Sequence, residues 1–304
     1  MNTVLATTSS FGANSPQLLE LLKEKKLAPV VNPYGRKLAE GELQELLDRH
    51  RPIGLLAGTE PIPRAILDMA KGFLKVVSRV GVGWDNVDHE AAREFGITVR
   101  RTVGVLDQAV AELTIGMILA ALRNIARHDR EIRGGIWKKY TGSLLSGKKM
   151  GIVGYGAIGQ RVGELAHAFG AEVIYSDICI KDGGASAVCV TFEQLLAEAD
   201  IITVHASGGG EILGPEQLAR CRKGVILVNT ARGGLINEAA LSAALQDGQV
   251  AWACLDVFER EPYLGPLRDL DNVVLTSHIG SYAQEARIRM EEMAVENLLT
   301  ALDI

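Results

Sequence analysis

Short apolar runs alternate almost from end to end with stretches whose apolar residues recur at helical spacing. That alternation predicts an α/β architecture built on parallel sheets. Strands are expected at 3–8, 28–32, 53–57, 76–80 and 97–100, with helices at 15–26, 39–51, 64–70 and 88–95. Ser15 is the expected cap of the first helix and Pro16 its first residue. A long apolar helix is expected over 106–127, then a polar stretch, 131–149, holding Trp137, Tyr140 and several glycines. Further strands are expected at 201–204, 225–229, 251–256 and 273–276, and a last amphipathic helix at 285–302. No repeat, low-complexity tract or Pro/Ser-rich linker divides the chain. Structured connections and a cleft between two domains are therefore expected.

One segment narrows the picture. Residues 150–161, MGIVGYGAIGQR, read as a short strand that runs into Gly154, Gly156 and Gly159. An amphipathic segment, 159–169, and a second apolar run, 171–176, follow, and the run ends in Asp177. This is the layout of a dinucleotide-binding βαβ unit. Gly154 permits the tight turn, Gly156 lets backbone approach a pyrophosphate, and Gly159 lets helix and strand pack closely. The helix N-terminus offers N–H groups to phosphates. Asp177 is placed to accept from the adenosine ribose hydroxyls. Its charge opposes a 2′-phosphate, and Ile178 supplies no cation, so NAD is favoured over NADP.

Composition excludes several classes. An apolar content of 47% with 23% charged residues suits a globular protein, and the net charge of −5 gives no footprint for nucleic acid. No apolar run has the length of a membrane span, and no signal peptide is expected. Cys179, Cys189, Cys221 and Cys254 show no metal-binding spacing. They read as buried free thiols in a reducing cytoplasm, with no metal site.

Three segments beyond the fingerprint place chemistry at expected strand ends, where open α/β sheets bind ligands. In 225–234, VILVNTARGG, Arg232 follows a buried-looking strand, and a guanidinium there can grip a carboxylate bidentately. In 255–262, LDVFEREP, the carboxylates of Asp256, Glu259 and Glu261 follow another strand. In 273–280, VVLTSHIG, His278 is the natural proton carrier, and a neighbouring carboxylate would orient it.

The chain resembles the D-isomer-specific 2-hydroxyacid dehydrogenase family, close to its D-3-phosphoglycerate dehydrogenase branch. The resemblance covers essentially the whole length. It rests on RVGVGWDN at 79–86, AELT at 111–114, GIVGYGAIG at 151–159, NTARGG at 229–234, DVFEREP at 256–262 and SHIG at 277–280. It implies an NAD-dependent oxidoreductase that interconverts a small anionic D-2-hydroxy acid and its 2-keto acid. The implied fold is two doubly wound parallel-sheet domains, Rossmann-like and flavodoxin-like. Residues 1–100 with 281–304 would form the substrate domain and 101–280 the NAD-binding domain. Arg232 would hold the substrate carboxylate and polarise its carbonyl, His278 would be the general acid/base, and Glu261 its carboxylate partner, with Glu259 a bystander. Cofactor contacts would come from Gly154, Gly156, Ala157, Ile158, Gly159, Asp177, His205, Ala206, Thr230, Asp256 and Gly280, with Asp256 on the nicotinamide carboxamide. Substrate contacts would come from Arg79, the backbone N–H groups of Val80 and Gly81, and Leu106, beside Arg232 and His278. A homodimer through the cofactor domains is also implied, by 115–122 and the Trp137 region.

The chain departs from the family pattern in three places. Leu106 and Asp107 stand where Asn and Ser are usual. Ala57-Gly58-Thr59 replaces a segment that carries an Arg in phosphoglycerate enzymes, and these two departures weaken the case for 3-phosphoglycerate itself unless Arg79 or Arg101 serves instead. The segment 205–210, HASGGG, replaces a usual His-x-Pro-Leu-Thr, and a shorter, more flexible cofactor-side loop is expected there. Two other readings are oxidation of another anion, such as phosphite, and an NAD-sensing corepressor-like protein. The second would predict loss of the catalytic set, and all three residues are present.

Overall fold

The computed structural model describes residues 2–179, 186–208 and 210–304. The chain divides into two compact units, Met1–Leu106 with Ser281–Ile304, and Asp107–Gly280. The first unit thus extends to Leu106 rather than to residue 100.

The first unit runs β1 (Asn2–Ala6), α1 (Gln17–Glu24), β2 (Leu27–Val31), α2 (Glu40–His50), β3 (Gly54–Ala57), α3 (Arg64–Ala70), β4 (Val76–Arg79), α4 (His89–Glu94) and β5 (Thr98–Arg101). Its strands are all parallel, in the order β2-β1-β3-β4-β5, the flavodoxin-like winding. Leu43, Leu47, Ile66, Leu67 and Ala91 of α2, α3 and α4 pack with Leu5, Leu55 and Val77 of the sheet in one core.

The second unit runs α5 (Asp107–Leu122), α6 (Ile125–Arg133), β6 (Lys149–Val153), α7 (Ala157–Ala168), β7 (Glu172–Ser176), β8 (Val188–Cys189), α8 (Phe192–Glu198), β9 (Ile201–Val204), α9 (Pro215–Arg220), β10 (Val225–Asn229), α10 (Glu238–Gln246), β11 (Val250–Leu255) and β12 (Val273–Leu275). The chain then returns to the first unit as α11 (Gln284–Ala301). The parallel order β12-β11-β10-β9-β6-β7-β8 reverses direction at β6, which makes that strand's carboxyl end the topological switch point. One core, with Ile115, Ile118, Ile152 and Val162, lies against α5 and α7. The other, with Leu195, Leu227, Leu241 and Leu255, lies against α8 and α10. Both faces are covered, which is why the central strands are apolar throughout rather than alternating.

Three expectations fail here. The long helix breaks at Asn124, whose φ of 55° is left-handed, and α6 leaves α5 at 63°. Uniform apolarity along 115–122 reflects burial of α5 on the sheet, which hides the break from periodicity alone. Among the described residues no single helix is long and apolar enough to cross a membrane. Cys221 and Cys254 are buried, but Cys179, after β7, and Cys189, in the edge strand β8, are exposed. Ser15 caps nothing, because Pro16 already has helical angles and takes the N-cap position.

Instead the Ser15 hydroxyl donates to Glu291 of α11, at 2.9 Å. The same Glu291 carboxylate accepts from the Gly12 N–H, at 3.0 Å, and from Arg287, at 2.9 Å. Arg287 also donates to Ser10, at 3.0 Å. This buried ion pair ties α11 to the loop after β1, while the Ser78 hydroxyl donates to the Ala294 carbonyl at 2.8 Å. Glu291→Ala leaves the guanidinium buried without its partner, and it is expected to lower stability by about 3–5 kcal/mol. A shifted denaturant midpoint of the first unit's transition checks this, with Glu291→Gln expected to fall between variant and parent.

Candidate active site

At the switch point β6 ends in Val153 and the chain turns through Gly154, whose φ is +90°. A Cβ there would lie 2.6 Å from the Ala206 amide, and one on Gly159 would overlap the Gly154 carbonyl. Two close approaches, of loop to loop and of helix to turn, thus need these glycines. Around Gly156 the opposite holds: a Cβ would meet nothing within 4 Å, and Gly156 and Ala157 are exposed at the N-terminus of α7. Ile158 is half-buried one residue on. The open N-terminus fits a pyrophosphate. Asp177 follows β7, and its carboxylate accepts from the amides of Tyr155 at 2.6 Å and Cys179 at 2.8 Å. It therefore ties its own loop to the glycine turn.

His205 ends β9 and bonds Thr203 Oγ1 through Nε2 at 2.9 Å, while its buried Nδ1 has no partner among the described residues. Burial pushes its imidazole down to about 3, so it is neutral at neutral pH. Ala206 packs its backbone on Gly154, whereas Gly209 of the expected flexible segment lies outside the described residues. Thr230 is buried, and its hydroxyl bonds the Thr114 hydroxyl at 2.9 Å. Thr114 donates to the Val110 carbonyl at 2.7 Å, so Thr230 is the donor of that pair.

Arg232, Glu261 and His278 follow β10, β11 and β12, which are neighbours in the sheet. Adjacent parallel strands end together, so residues far apart in sequence share one edge. Asn229 builds the Arg232 turn: its Oδ1 accepts from the Ala231 amide at 3.0 Å and its Nδ2 donates to the Arg232 carbonyl at 2.8 Å. The guanidinium donates to the Ala231 carbonyl at 2.8 Å. Next in the chain, Gly233 presses against the following loop so closely that a Cβ would overlap the Phe258 carbonyl.

His278 Nδ1 meets both oxygens of Glu261, at 3.1 and 2.9 Å. The carboxylate accepts the Nδ1 proton and thereby leaves Nε2 for a substrate. Both side chains are part-exposed, at 41% and 36%. Glu259 is turned away: its N–H donates to Glu238 at 2.7 Å.

His278 has a φ of 57°, a left-handed conformation that costs a non-glycine residue about 1–2 kcal/mol. Asp256 holds it there. Its carboxylate accepts from the Thr276 hydroxyl at 2.6 Å and from the two amides after the histidine, Ile279 and Gly280, both at 2.8 Å. Asp256 has no exposed surface. Asp256 thus positions the turn that carries His278, with Gly280 as one of its donors.

The first unit corrects another expectation. The Val80 N–H donates to the Ala57 carbonyl at 2.9 Å and the Gly81 N–H to the Arg79 carbonyl at 3.0 Å, so neither is offered to a substrate. Arg79 is buried, donates to the Val80 carbonyl and packs on Gly81, where it supports the turn. Arg101 lies over the Trp84 ring, 4.2 Å from its centre. Leu106 is buried.

The model of the D-isomer specific 2-hydroxyacid dehydrogenase NAD-binding domain matches residues 115–280. The chain is 39% identical over 272 residues to a glyoxylate reductase of Thermococcus litoralis, which spans 84% of this chain and 82% of that protein. It is 36% identical over 294 residues to a hydroxypyruvate reductase of Thermotoga maritima, covering 94% of each. A D-3-phosphoglycerate dehydrogenase of Methanocaldococcus jannaschii is 40% identical over 85% of this chain but only 52% of its own length. Among solved structures, the TT0316 protein of Thermus thermophilus superposes with a TM-score of 0.91 at 38% identity, over 99% of this chain and 97% of that one.

The chain belongs to the D-isomer specific 2-hydroxyacid dehydrogenase family. It is an NAD-dependent oxidoreductase built from two parallel-sheet α/β domains.

In this dehydrogenase the contact between Gly233 and Phe258 sets how the arginine turn meets the loop that carries Glu261. Gly233→Ala cannot keep that contact, and a 1 Å displacement of catalytic groups is enough to reduce turnover by about 100-fold. Steady-state kinetics of the folded variant check this, with circular dichroism confirming that the fold persists.

Proposed function

We propose that this dehydrogenase interconverts a small unphosphorylated 2-keto acid, glyoxylate or hydroxypyruvate foremost, and its D-2-hydroxy acid. The observation that carries the reading is the His278–Glu261 pair, with its Nε2 left for chemistry, on the strand edge that also presents Arg232. Similarity to proteins named glyoxylate reductase and hydroxypyruvate reductase points the same way.

NAD, held at the glycine turn with Asp177 toward its ribose, supplies the hydride acceptor, and its reduced form the donor. In reduction, protonated His278 gives its Nε2 proton to the nascent alkoxide oxygen. In oxidation, Nε2 takes the hydroxyl proton. Glu261 stabilises the imidazolium and keeps the ring oriented. Arg232 holds the substrate carboxylate and steadies negative charge on the reacting oxygen. In the first unit the Val80 and Gly81 amides are used internally, and we assign the next amides of the same turn, Val82 and Gly83, as donors to an anionic group of the substrate. Asp256 keeps His278 in place. A corepressor-like role needs no such proton relay, so the intact pair favours catalysis.

Ile125, Ile132, Ile136, Trp137 and Leu144 are exposed around α6 and the segment after it, with Trp137 at 84%. We assign this apolar face to a second copy of the chain in a two-fold dimer. We assign the enzyme to a reducing cytoplasm, a reading that four cysteines without a disulfide support.

The decisive measurement follows loss of NADH absorbance over a panel of 2-keto acids. His278→Gln should lower kcat/KM by about 10²–10⁴-fold, the usual contribution of a general acid/base. NADH titrations of the same variant should give near-parental affinity. Parental turnover by His278→Gln would overturn its role, and a parent inactive on every 2-keto acid would overturn the substrate class. Native mass should show a dimer that Trp137→Glu converts to a monomer, and a monomeric parent would refute the assigned interface.

A further inference from the structure

The strands β1, β3 and β4 are neighbours in the first sheet and end level with one another. The Thr7 N–H donates to the Leu56 carbonyl at 3.0 Å and the Val80 N–H to that of Ala57 at 2.9 Å. This edge leads into the Val82–Gly83 turn, and it collects groups suited to an anion: the Gly58 N–H and the hydroxyls of Thr7 and Thr8.

Glu60 occupies that place. Its Oε1 accepts from the Gly58 N–H at 3.0 Å and from the Thr7 hydroxyl. The side chain is 1% exposed, and Asn86 Nδ2 pins the loop by donating to the Glu60 carbonyl at 2.7 Å. The fit is tight, since a Cβ on Gly58 would lie 2.5 Å from Glu60 Oε2. Thr8 adds a second observation. Its Cα lies 3.4 Å from the same Cβ position, and its buried Oγ1 has no hydrogen-bond partner among the described residues. The donor set is thus larger than the carboxylate it serves. Both groups that hold Glu60 are neutral, so they orient its charge without cancelling it.

We propose that Glu60 determines substrate specificity as an internal anion in a cradle formed by Thr7, Thr8 and Gly58. It rejects 2-keto acids that carry a second negative group, phosphate above all, both by filling the cradle and by like-charge repulsion in a poorly hydrated setting. This rests on the reading that a 2-keto acid is the substrate, with its carboxylate at the neighbouring turn.

The test compares kcat/KM for hydroxypyruvate and 3-phosphohydroxypyruvate, which differ only in the phosphoryl group. It uses the full-length parent, Glu60→Gln and Glu60→Ala. The parent should prefer hydroxypyruvate by about 100-fold or more, as expected when binding leaves a like charge unrelieved. Glu60→Gln removes charge but keeps the plug, so the preference should fall about 10-fold. Glu60→Ala also opens the cradle and should lower it further, with the change in the KM of the phosphorylated compound rather than in kcat. Folding should survive, because the Gly58 N–H also reaches Thr7 Oγ1 at 2.9 Å and the Thr7 hydroxyl also reaches the Leu56 carbonyl at 3.3 Å. Thermal melts confirm it. A parent without preference, or a ratio unmoved in both folded variants, overturns the proposal. Inactivity of the parent on both compounds and on glyoxylate instead overturns the substrate class.

Discussion

A single buried carboxylate holds the turn on which the site depends. Asp256 gathers one hydroxyl and two consecutive amides around the end of β12, and through them it keeps His278 in a conformation that side chains disfavour. Without that clamp the imidazole could relax into an ordinary extended backbone and leave Glu261. The strain is small and the hydrogen bonds that oppose it are charge-assisted, so the balance favours the strained turn. A pre-set histidine needs no rearrangement when the proton moves.

The same economy governs the approach of loops. Gly233 and Gly154 lie where one backbone presses on another, at Phe258 and Ala206. These positions bring strand ends from distant parts of the sequence within reach of one ligand. Parallel pairing from β9 through β12 then aligns those ends on one edge of the sheet. Chemistry at the strand ends follows from winding, and its accuracy from the absence of a methyl group at a few positions.

In the first unit buried acids do structural work of two kinds. Glu291 joins α11 to the loop after β1 and is matched by Arg287. Glu60 is held by neutral donors. The matched charge secures the fold, whereas a charge held by neutral groups still projects its field toward whatever approaches. That contrast is the physical basis for reading one acid as an anchor and the other as a filter.

Much of this was legible in the residue order. Apolar runs located every strand but β8 to within a residue or two, because burial on both faces of a parallel sheet demands them, whereas the exposed edge strand Val188–Cys189 carries no such signal. The glycine spacing at 154–159 and the acid at 177 marked the dinucleotide unit, since steric limits on backbone approach act over a few neighbouring residues. Spacing could not show that Asn124 breaks a helix that is apolar throughout, nor that Ser15 faces Glu291 instead of its own helix. It could not show that the Val80 and Gly81 amides are already bonded, or that Asp256 accepts from the turn that carries His278. Each of those outcomes turns on which partner a polar group finds across the fold. Local chemistry sets what a residue is able to do, and long-range packing alone decides which of its possible partners is within 3 Å.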